Sequence, residues 1–348
     1  MSMENTGTVS RPAPELSVAV YEHRFDKIKP IAHKILPPVD TDTRTGTQTF
    51  ALVEDMARKE ENRVAPGTAY NRLGLRQERA TYECEKYGNE FPITEEDYGD
   101  NIKIMNVSMA GAIRVATNAI LNYEYNVARE TELIYGVTPS TFTSTDLQGS
   151  DKPWTETDAN IKGQLGTLYQ TFSDTNYGIA PDALILSDDS WRLLKSNETM
   201  RQYFPGAPVI TDNMLMDFIE SEFAVQILVG RARYNADAKA ATEAGGTSTP
   251  IWSNKYCGFA LVGGDVRPEF DTKLGSTMRW INGTTEIMAA YSAGDFPDPD
   301  TVASLMDFRV YQEEQTDTIE VVKGRCWLDE KIWNTKLLQL GQIRATEA

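Results

Sequence analysis

The sequence has few of the residues from which catalytic and metal sites are built. Its 348 residues include only two histidines, His23 and His33, and three widely spaced cysteines, Cys84, Cys257 and Cys326. Neither histidine belongs to a His-Glu-x-x-His motif, and no serine lies in a Gly-x-Ser-x-Gly elbow. No Cys-x-x-Cys pair and no Gly-x-x-x-x-Gly-Lys-Ser/Thr phosphate loop is present. We therefore predict no catalytic residue, no cofactor site and no metal site, and we place both histidines at surface or interface positions.

The sequence also lacks the patterns of disulfide-rich, membrane and secreted proteins. An odd number of distant cysteines argues against a disulfide framework and favours reduced thiols in a cytoplasm-like compartment. The longest apolar stretches, such as 183–186 and 225–229, are far shorter than the roughly 20 residues that span a bilayer. Residues 1–15 do not have the basic start and apolar run of a secretory signal. We expect a cytoplasmic chain without a membrane partner.

Positive charge is scarce as well. The chain has 51 acidic and 34 basic residues, which gives a formal net charge of −17. Tight binding of duplex DNA requires clusters of lysine and arginine that neutralise phosphates, so this balance argues against it. An acidic wall can still enclose DNA, because it repels the duplex and lets it slide.

Two groups of carboxylates are the remaining candidates for chemistry. Residues 295–300 contain three aspartates in one loop, but this loop lacks the glycine turn and the closing glutamate of a Ca²⁺-binding loop. We interpret it as a proline-stiffened, solvated loop. The acidic residues 95–97 precede a predicted helix, where negative charge complements the helix dipole. We assign them a structural role rather than that of a catalytic carboxylate pair.

A long amphipathic helix is the strongest feature that is present. From Ile104 to about Tyr135, apolar residues recur at steps of mostly three and four, the period of one helical face. These residues are Met105, Met109, Ala112, Ala116, Ile120, Tyr123, Val127 and Ile134. The opposite face carries Asn106, Arg114, Asn118, Arg129 and Glu132. Such a spine would be about 45 Å long. We expect it to pack against other copies of the chain, although an ordinary long core helix would show the same pattern.

A hairpin with a charged tip is predicted before this spine. Residues 47–53 and 80–85 alternate polar and apolar side chains, which predicts two strands with one polar face. The charged residues of the tip include Arg58, Lys59, Glu60, Glu61, Arg63 and Arg72. An isolated two-stranded ribbon is marginally stable. We therefore predict that these six residues form an assembly interface, and that the hairpin and the arm before it bury surface only between subunits.

The second half of the chain is predicted to be a compact α/β region followed by strands. Thr155 and Asp158 have the spacing of a helix cap, and Ile161, Leu165, Leu168 and Phe172 form the apolar stripe of the helix that follows. Helices are also predicted at 188–196 and 211–223, and strands at 183–186, 225–229, 259–262 and 285–291. The last strands are predicted at 307–312, 318–323 and 325–328, with a turn at Gly324. No internal repeat is present.

The segment that leads into the spine resembles a known family. Residues 82–97 read Tyr-Glu-Cys-Glu-Lys-Tyr-Gly-Asn-Glu-Phe-Pro-Ile-Thr-Glu-Glu-Asp. They resemble the region of tailed-phage major capsid proteins in which a strand ends in Lys-x-Tyr-Gly, and an apolar-Pro-Ile step and an acidic run then lead into the spine. The end of the spine, 126–130 before a glycine turn, is similar too. The resemblance to capsid subunits of the Hong Kong 97 type is most specific over 47–136 and looser over 227–235 and 250–252.

This resemblance implies an α+β fold of five parts. They are an N-terminal arm (1–46), an extended hairpin called the E-loop (47–86), a peripheral or P domain with the spine helix (87–154), an axial or A domain (mainly 155–290) and terminal strands of the P domain (291–348). It also implies a structural protein, not an enzyme, that assembles into the hexamers and pentamers of an icosahedral virion shell around double-stranded phage DNA. Assembly would take place in the cytoplasm of a host bacterium, with separate scaffold, portal and decoration proteins as partners.

Three other functions are compatible with the sequence. An encapsulin, which is a protein compartment that holds enzymes, has the same fold, although the long arm and the chain length favour a capsid. Another self-assembling virion protein, such as a tail component, is the second alternative. An enzyme of unrecognised class is the third.

Overall fold

The computed structural model describes most of the chain, namely residues 11–23, 28–59, 62–64, 69–70, 74, 76–94, 96, 99, 106–148, 152–206, 209–236, 247–263, 272–281, 309–315 and 318–344. Its helices are α1 (Pro14–Glu22), α2 (Ala32–Ile35), α3 (Val53–Met56), α4 (Val107–Glu130), α5 (Ile161–Thr175), α6 (Asp188–Ser196), α7 (Glu198–Arg201) and α8 (Asp212–Phe223). Its strands are β1 (Arg11–Pro12), β2 (Pro38–Thr41), β3 (Thr45–Ala51), β4 (Gln77–Glu83), β5 (Glu85–Ile93), β6 (Ser144–Asp146), β7 (Ala183–Ser187), β8 (Gln226–Gly230), β9 (Arg233–Asn235), β10 (Ser248–Pro250), β11 (Tyr256–Ala260), β12 (Gly275–Trp280), β13 (Arg309–Gln315), β14 (Thr318–Ile332) and β15 (Leu338–Gln342). The predicted mixed α+β fold is confirmed.

The first sheet is organised around the long strand β14. The strand order is β1-β13-β14-β12-β2, and β5 pairs with β14 along its other edge. Gly324 lies inside β14, opposite Val310 on one side and Asn89 on the other. The predicted turn at Gly324 was therefore wrong, because strand pairing on both edges holds this residue in an extended conformation.

The predicted spine is α4, which packs on β14 and β5. The side chain of Asn106 caps it by accepting a hydrogen bond from the backbone N–H of Met109 at 3.0 Å. The predicted apolar face is confirmed from Ala112 to Val127, where every predicted apolar position is buried. Met109 is instead 38% exposed, whereas Val107 and Gly111 in the same turns are buried, and the helix contacts β5. A Cβ atom at Gly111 would lie 2.8 Å from the ring of Phe91, so this contact requires glycine.

The end of the spine differs slightly from the prediction. The helix stops at Glu130, and Ile134 lies beyond it, where it forms an isolated bridge with Trp252. On the opposite face, Arg114, Asn118 and Arg129 are exposed as predicted. Residues 104 and 105, with which the predicted helix begins, lie outside the described residues.

The second sheet has the strand order β6-β15-β11-β7-β8, with β7 and β8 parallel. β7, β8, α6 and α8 match the predicted segments, and β11 overlaps the predicted strand 259–262 but begins three residues earlier. β6 and β15 were not predicted. The predicted cap of α5 was wrong: the helix begins at Ile161, and Asn160 caps it by accepting from the N–H of Gly163 at 3.1 Å. Asp158 forms an ion pair with Lys152 instead. The predicted apolar stripe of α5 is buried as expected, whereas the strand predicted at 285–291 lies outside the described residues.

The N-terminal arm buries surface within its own chain. Leu16 and Val20 of α1 and Ala32 and Ile35 of α2 belong to the main hydrophobic core, and both helices contact the spine. The prediction that the arm buries surface only between subunits was therefore wrong. Apolar residues of the arm cover part of the spine that would otherwise be exposed, which favours the intramolecular contact.

The predicted two-stranded hairpin is confirmed, since β3 and β4 pair antiparallel from Thr45 opposite Glu83 to Ala51 opposite Gln77. The paired strands also pack on their own chain, contrary to the prediction. Phe50 stacks on Trp333 with ring centroids 6.0 Å apart, and both belong to a second small core with Tyr82, Cys84 and Met278.

Cys84, Cys257 and Cys326 are buried, and no disulfide joins them. In the part of the chain that the structure describes, every helix is too short or too polar to cross a membrane.

Candidate assembly surfaces

The distal part of the hairpin presents charge and one aromatic ring to solvent. Arg58, Lys59 and Arg63 are exposed, and Tyr70 is 85% exposed. The other three residues of the predicted interface, Glu60, Glu61 and Arg72, lie outside the described residues. The structure thus places half of the predicted set on an accessible surface, and their role as an interface stays a prediction.

The start of the connection between β3 and β4 is fixed to the body by α3. Val53 is 1% exposed and belongs to the main core. Glu54 forms an ion pair with Lys336, and the hydrogen bond from Lys336 keeps the pKa of Glu54 below its usual range. Asp55 accepts a hydrogen bond from the backbone N–H of Arg76 at 2.8 Å, which ties the two halves of the connection together. A connection whose ends are fixed and whose middle is exposed suits a surface that contacts another molecule.

A buried carboxylate lies at the junction of the arm, the spine and the second sheet. Glu124 of α4 is fully buried. Its Oε1 accepts hydrogen bonds from the backbone N–H groups of Ile31 at 2.5 Å and Ala32 at 2.7 Å, and its Oε2 accepts one from Trp252 Nε1 at 2.9 Å. Burial is the main cause that raises the pKa of Glu124 to about 7. The sequence analysis missed this residue, although Glu124 follows Ile120 at the helical spacing of the apolar face.

A second buried carboxylate lies on β14. Glu330 is 7% exposed, and its Oε1 has no hydrogen-bond partner among the described residues. Burial raises the pKa of Glu330 to about 7, and a hydrogen bond with Asn126 of the spine opposes part of this shift. Glu330 is nearly as buried as Glu124 but has fewer donors to stabilise its charge.

Charged side chains also cluster where α6 and α8 begin. Asp212 accepts a hydrogen bond from Lys195 at 2.7 Å, which is the main cause that lowers the pKa of Asp212. Arg231 lies between the two helices, 3.3 Å from Asp188 and 3.6 Å from Asp212. The opposite charges are matched within the cluster, so it holds the two helix N-termini together.

The histidines lie in different environments. His23 is exposed, as predicted, but His33 is partly buried, and burial lowers the pKa of His33 to about 4. His33 is half-buried rather than exposed because α2 packs against the spine, and an interface position for His33 stays a prediction. The described residues bring no three His, Cys, Asp or Glu side chains together in a metal-binding cluster.

Solved structures share this fold along nearly the whole chain. A phage-related protein from Bordetella bronchiseptica RB50 is 16% identical, with 96% of this chain and 97% of that chain covered and a TM-score of 0.64. The capsid of the cyanophage P-SCSP1u is 11% identical, with 99% and 93% covered and a TM-score of 0.52. The virus-like particle from Pyrococcus furiosus is 10% identical, with 95% and 97% covered and a TM-score of 0.51. No protein-family model and no curated protein sequence matches the chain.

These similarities define the class of fold. The fold of this chain is one found in phage capsid proteins, and the resemblance predicted from the sequence is confirmed at the level of the fold.

Proposed function

We propose that the chain is a major capsid protein that self-assembles into hexamers and pentamers of an icosahedral shell around double-stranded phage DNA. The observation that supports this most is the extent of the fold similarity. It covers 99% of this chain and 93% of the cyanophage capsid chain, so the similarity includes the arm and the hairpin as well as the central sheets.

The proposal gives each part of the chain a role in a subunit of the Hong Kong 97 type. Residues 1–46 are the arm and 47–86 the E-loop. The P domain is 87–154 together with the terminal strands of 291–348, and the A domain is mainly 155–290. Strand pairing crosses these proposed bounds at two places, since β12 pairs with β14 in the first sheet and β15 pairs with β11 in the second.

The E-loop tip is the proposed contact with a neighbouring subunit. The tip carries both signs of charge, since Arg58, Lys59, Arg63 and Arg72 lie among Glu54, Asp55, Glu60 and Glu61. A tip of mixed charge can guide docking on a neighbouring copy, and it makes the contact salt-dependent. Arg58, Lys59, Glu60, Glu61, Arg63 and Arg72 are the proposed contact residues.

The proposed shell has no catalytic role. It assembles in the cytoplasm of the host bacterium with separate scaffold, portal and decoration proteins, and it becomes part of the virion. The DNA is held by enclosure rather than by tight binding to the subunit, because acidic subunits repel phosphate.

Electron microscopy of the purified protein tests this proposal. We expect closed icosahedral particles, with rings of five and six subunits in a reconstruction. Tubes would favour a tail component, and small particles under all assembly conditions would contradict a shell function.

An encapsulin-type compartment is the second candidate. The fold is shared with a virus-like particle from Pyrococcus furiosus as well as with a phage capsid, so the fold alone does not separate a phage capsid from another kind of protein shell. Particles isolated from the native host distinguish the two functions. Nuclease-resistant double-stranded DNA inside the particles supports the capsid, whereas an enzyme as the internal content supports the compartment.

A further inference from the structure

A cleft of about 510 Å³ lies on the face of the first sheet that points away from the core. Alternate residues of a strand point to opposite faces. In β14, Val322, Cys326 and Leu328 belong to the main core, so Lys323 and Arg325 lie on the other face, where they line the cleft.

Arg325 is held in this cleft by aromatic rings. Its guanidinium carbon lies 3.8 Å from the ring centroid of Tyr311 and 5.0 Å from that of Trp327. Its Nε is buried and has no hydrogen-bond partner among the described residues. Stacking fixes the plane of the guanidinium but does not neutralise its charge, so its polar requirements are not met within the described residues.

A glycine provides the space beside this arginine. Gly88 of β5 pairs with Arg325. A Cβ atom at this position would lie 3.0 Å from the carbonyl oxygen of Gly324 and 3.4 Å from the Cβ of Arg325. The lack of a side chain at Gly88 therefore leaves the sheet surface open beside the Cβ of Arg325.

The cleft is basic in an acidic molecule. Among the described residues, Lys86, Lys323 and Arg325 line it together with one carboxylate, that of Glu90, which lies 3.8 Å from Lys323 Nζ. The described lining residues thus carry a formal charge of +2, while that of the whole chain is −17. Three cations in one small cleft are too few for tight duplex binding, which requires extended basic clusters. They suit a single carboxylate, because a planar guanidinium binds one through two parallel hydrogen bonds.

We propose that this cleft binds a carboxylate side chain of a second copy of the chain and thereby forms a contact between subunits. The inference rests on the proposed shell function. Charge complementarity identifies the occupant: each copy has 51 acidic residues, and copies of equal negative charge repel each other. A contact in which Arg325 meets a carboxylate of a neighbour opposes this repulsion at a defined position.

Assembly of the full chain tests the contact. We expect Arg325→Gln and, separately, Lys86→Glu to raise the protein concentration at which shells form at least tenfold, measured by light scattering and electron microscopy. Lys86 is exposed, so its replacement tests the cleft without disturbing the core. The matched control is Arg192→Gln, since Arg192 is an exposed arginine of α6 outside the cleft, and its threshold should equal that of the unmodified chain.

A binding experiment separates this proposal from the shell function. We expect a fluorescently labelled hexaglutamate peptide to bind the soluble protein, and Arg325→Gln to weaken this binding at least tenfold in fluorescence anisotropy.

Peptide binding that depends on Arg325, together with a failure of the unmodified chain to form shells, would refute the shell function and support the cleft. Normal assembly of both cleft variants with unchanged peptide binding would overturn the cleft proposal alone. Arg325-dependent binding of a short DNA duplex that is tighter than peptide binding would overturn it in favour of a phosphate site.

Discussion

At the residue scale, Glu124 links parts of the chain that are far apart in sequence. The backbone N–H groups of Ile31 and Ala32 lie at the start of α2, where a helix has no internal acceptors for them. Glu124 supplies the acceptor from the spine and binds Trp252 with its other oxygen. An ionised carboxylate is costly to bury without such donors. The arm is therefore held on the spine by a polar contact as well as by apolar packing.

Glu124→Gln tests how far this contact depends on the two carboxylate oxygens of Glu124 as acceptors. If the amide oxygen accepts from the two backbone N–H groups, the amide NH₂ faces the indole N–H of Trp252, and two donors meet. We expect a loss of about 1–3 kcal/mol in the free energy of unfolding, measured by urea titration. Trp252→Phe removes the second donor, so the double variant should be less destabilised than the sum of the two single variants. Strict additivity would contradict this arrangement.

Glu330→Gln should change how stability depends on pH. Burial raises the pKa of Glu330 from its ordinary 4.5 to about 7 in the folded chain. As the pH rises, Glu330 therefore loses its proton in the unfolded chain before it does so in the folded chain. Its stabilising contribution is fully present below about pH 4.5 and is lost as the pH rises through 7. The effect amounts to at most about 3 kcal/mol.

Thermal unfolding between pH 4.5 and pH 8.5 measures this difference. Glutamine cannot ionise, and it leaves no charge on the carboxyl oxygen that has no partner among the described residues. We expect the variant to be more stable than the unmodified chain at pH 8 and to have a flatter pH profile. Identical profiles for the two proteins would show that Glu330 titrates in the folded chain as it does in the unfolded one.

At the element scale, the sequence predicts those segments whose pattern is local. The period of the spine and the alternation in β3 and β4 predict a helix and a hairpin, and the resemblance over residues 82–97 predicts the fold that contains them. Contacts between distant segments are not encoded in local patterns. The stacking of Phe50 on Trp333 and the burial of Leu16 and Val20 against the spine are of this kind, and they explain why the hairpin and the arm were predicted to be free of their own chain.

Local signals also failed where tertiary contacts outweighed them. Gly324 and the Thr155–Asp158 spacing are ordinary signals of a turn and of a helix cap. Pairing on both edges of β14 and the ion pair of Asp158 with Lys152 override them. The cleft at Arg325 could not be predicted from the sequence either, because it forms only when the three strands β5, β13 and β14 pair in register.

The two faces of the spine should respond differently to the same substitution. Ile120 is 1% exposed, whereas Asn118 is exposed. Ile120→Asp buries an unpaired carboxylate, which costs several kcal/mol, and should prevent folding or assembly. Asn118→Asp should be tolerated. Soluble yield and circular dichroism of both variants provide the measurement, and equal tolerance would contradict the faces assigned to α4.

The hairpin tip should control the rate of assembly through its charge. The double variant Arg58→Glu/Lys59→Glu reverses two exposed cations. We expect it to assemble more slowly than the unmodified chain, with the largest difference at low salt, where charges are least screened. Light scattering over a salt series measures this. Arg192→Glu reverses a charge outside the tip and should have no comparable effect. An assembly rate that changes with neither the charge reversal at the tip nor the salt concentration would indicate that the tip is only a solvated loop.

At the scale of the whole molecule, charge and fold bear together on the proposed function. The fold is one found in phage capsid proteins, and the chain has a formal charge of −17. In the proposed shell, this charge is repeated over many copies and would oppose both assembly and DNA contact. The hairpin tip and the basic cleft at Arg325 would then supply the attraction between subunits, whereas DNA would need only to be enclosed.

The isolated subunit should therefore show no measurable binding to duplex DNA at physiological salt. Tight binding depends on the release of counterions by clustered lysines and arginines, and this chain has fewer basic than acidic residues. An acidic inner wall that does not bind DNA, called here the low-adhesion wall, would also reduce friction while the shell is filled.

A competing arrangement directs the acidic surface outward and uses Arg114 and Arg129, which are exposed on the spine, to contact DNA. A fluorescence titration with a labelled duplex distinguishes the two arrangements. Micromolar, salt-sensitive binding that is lost in Arg114→Gln/Arg129→Gln would establish a DNA-binding spine and contradict the low-adhesion wall.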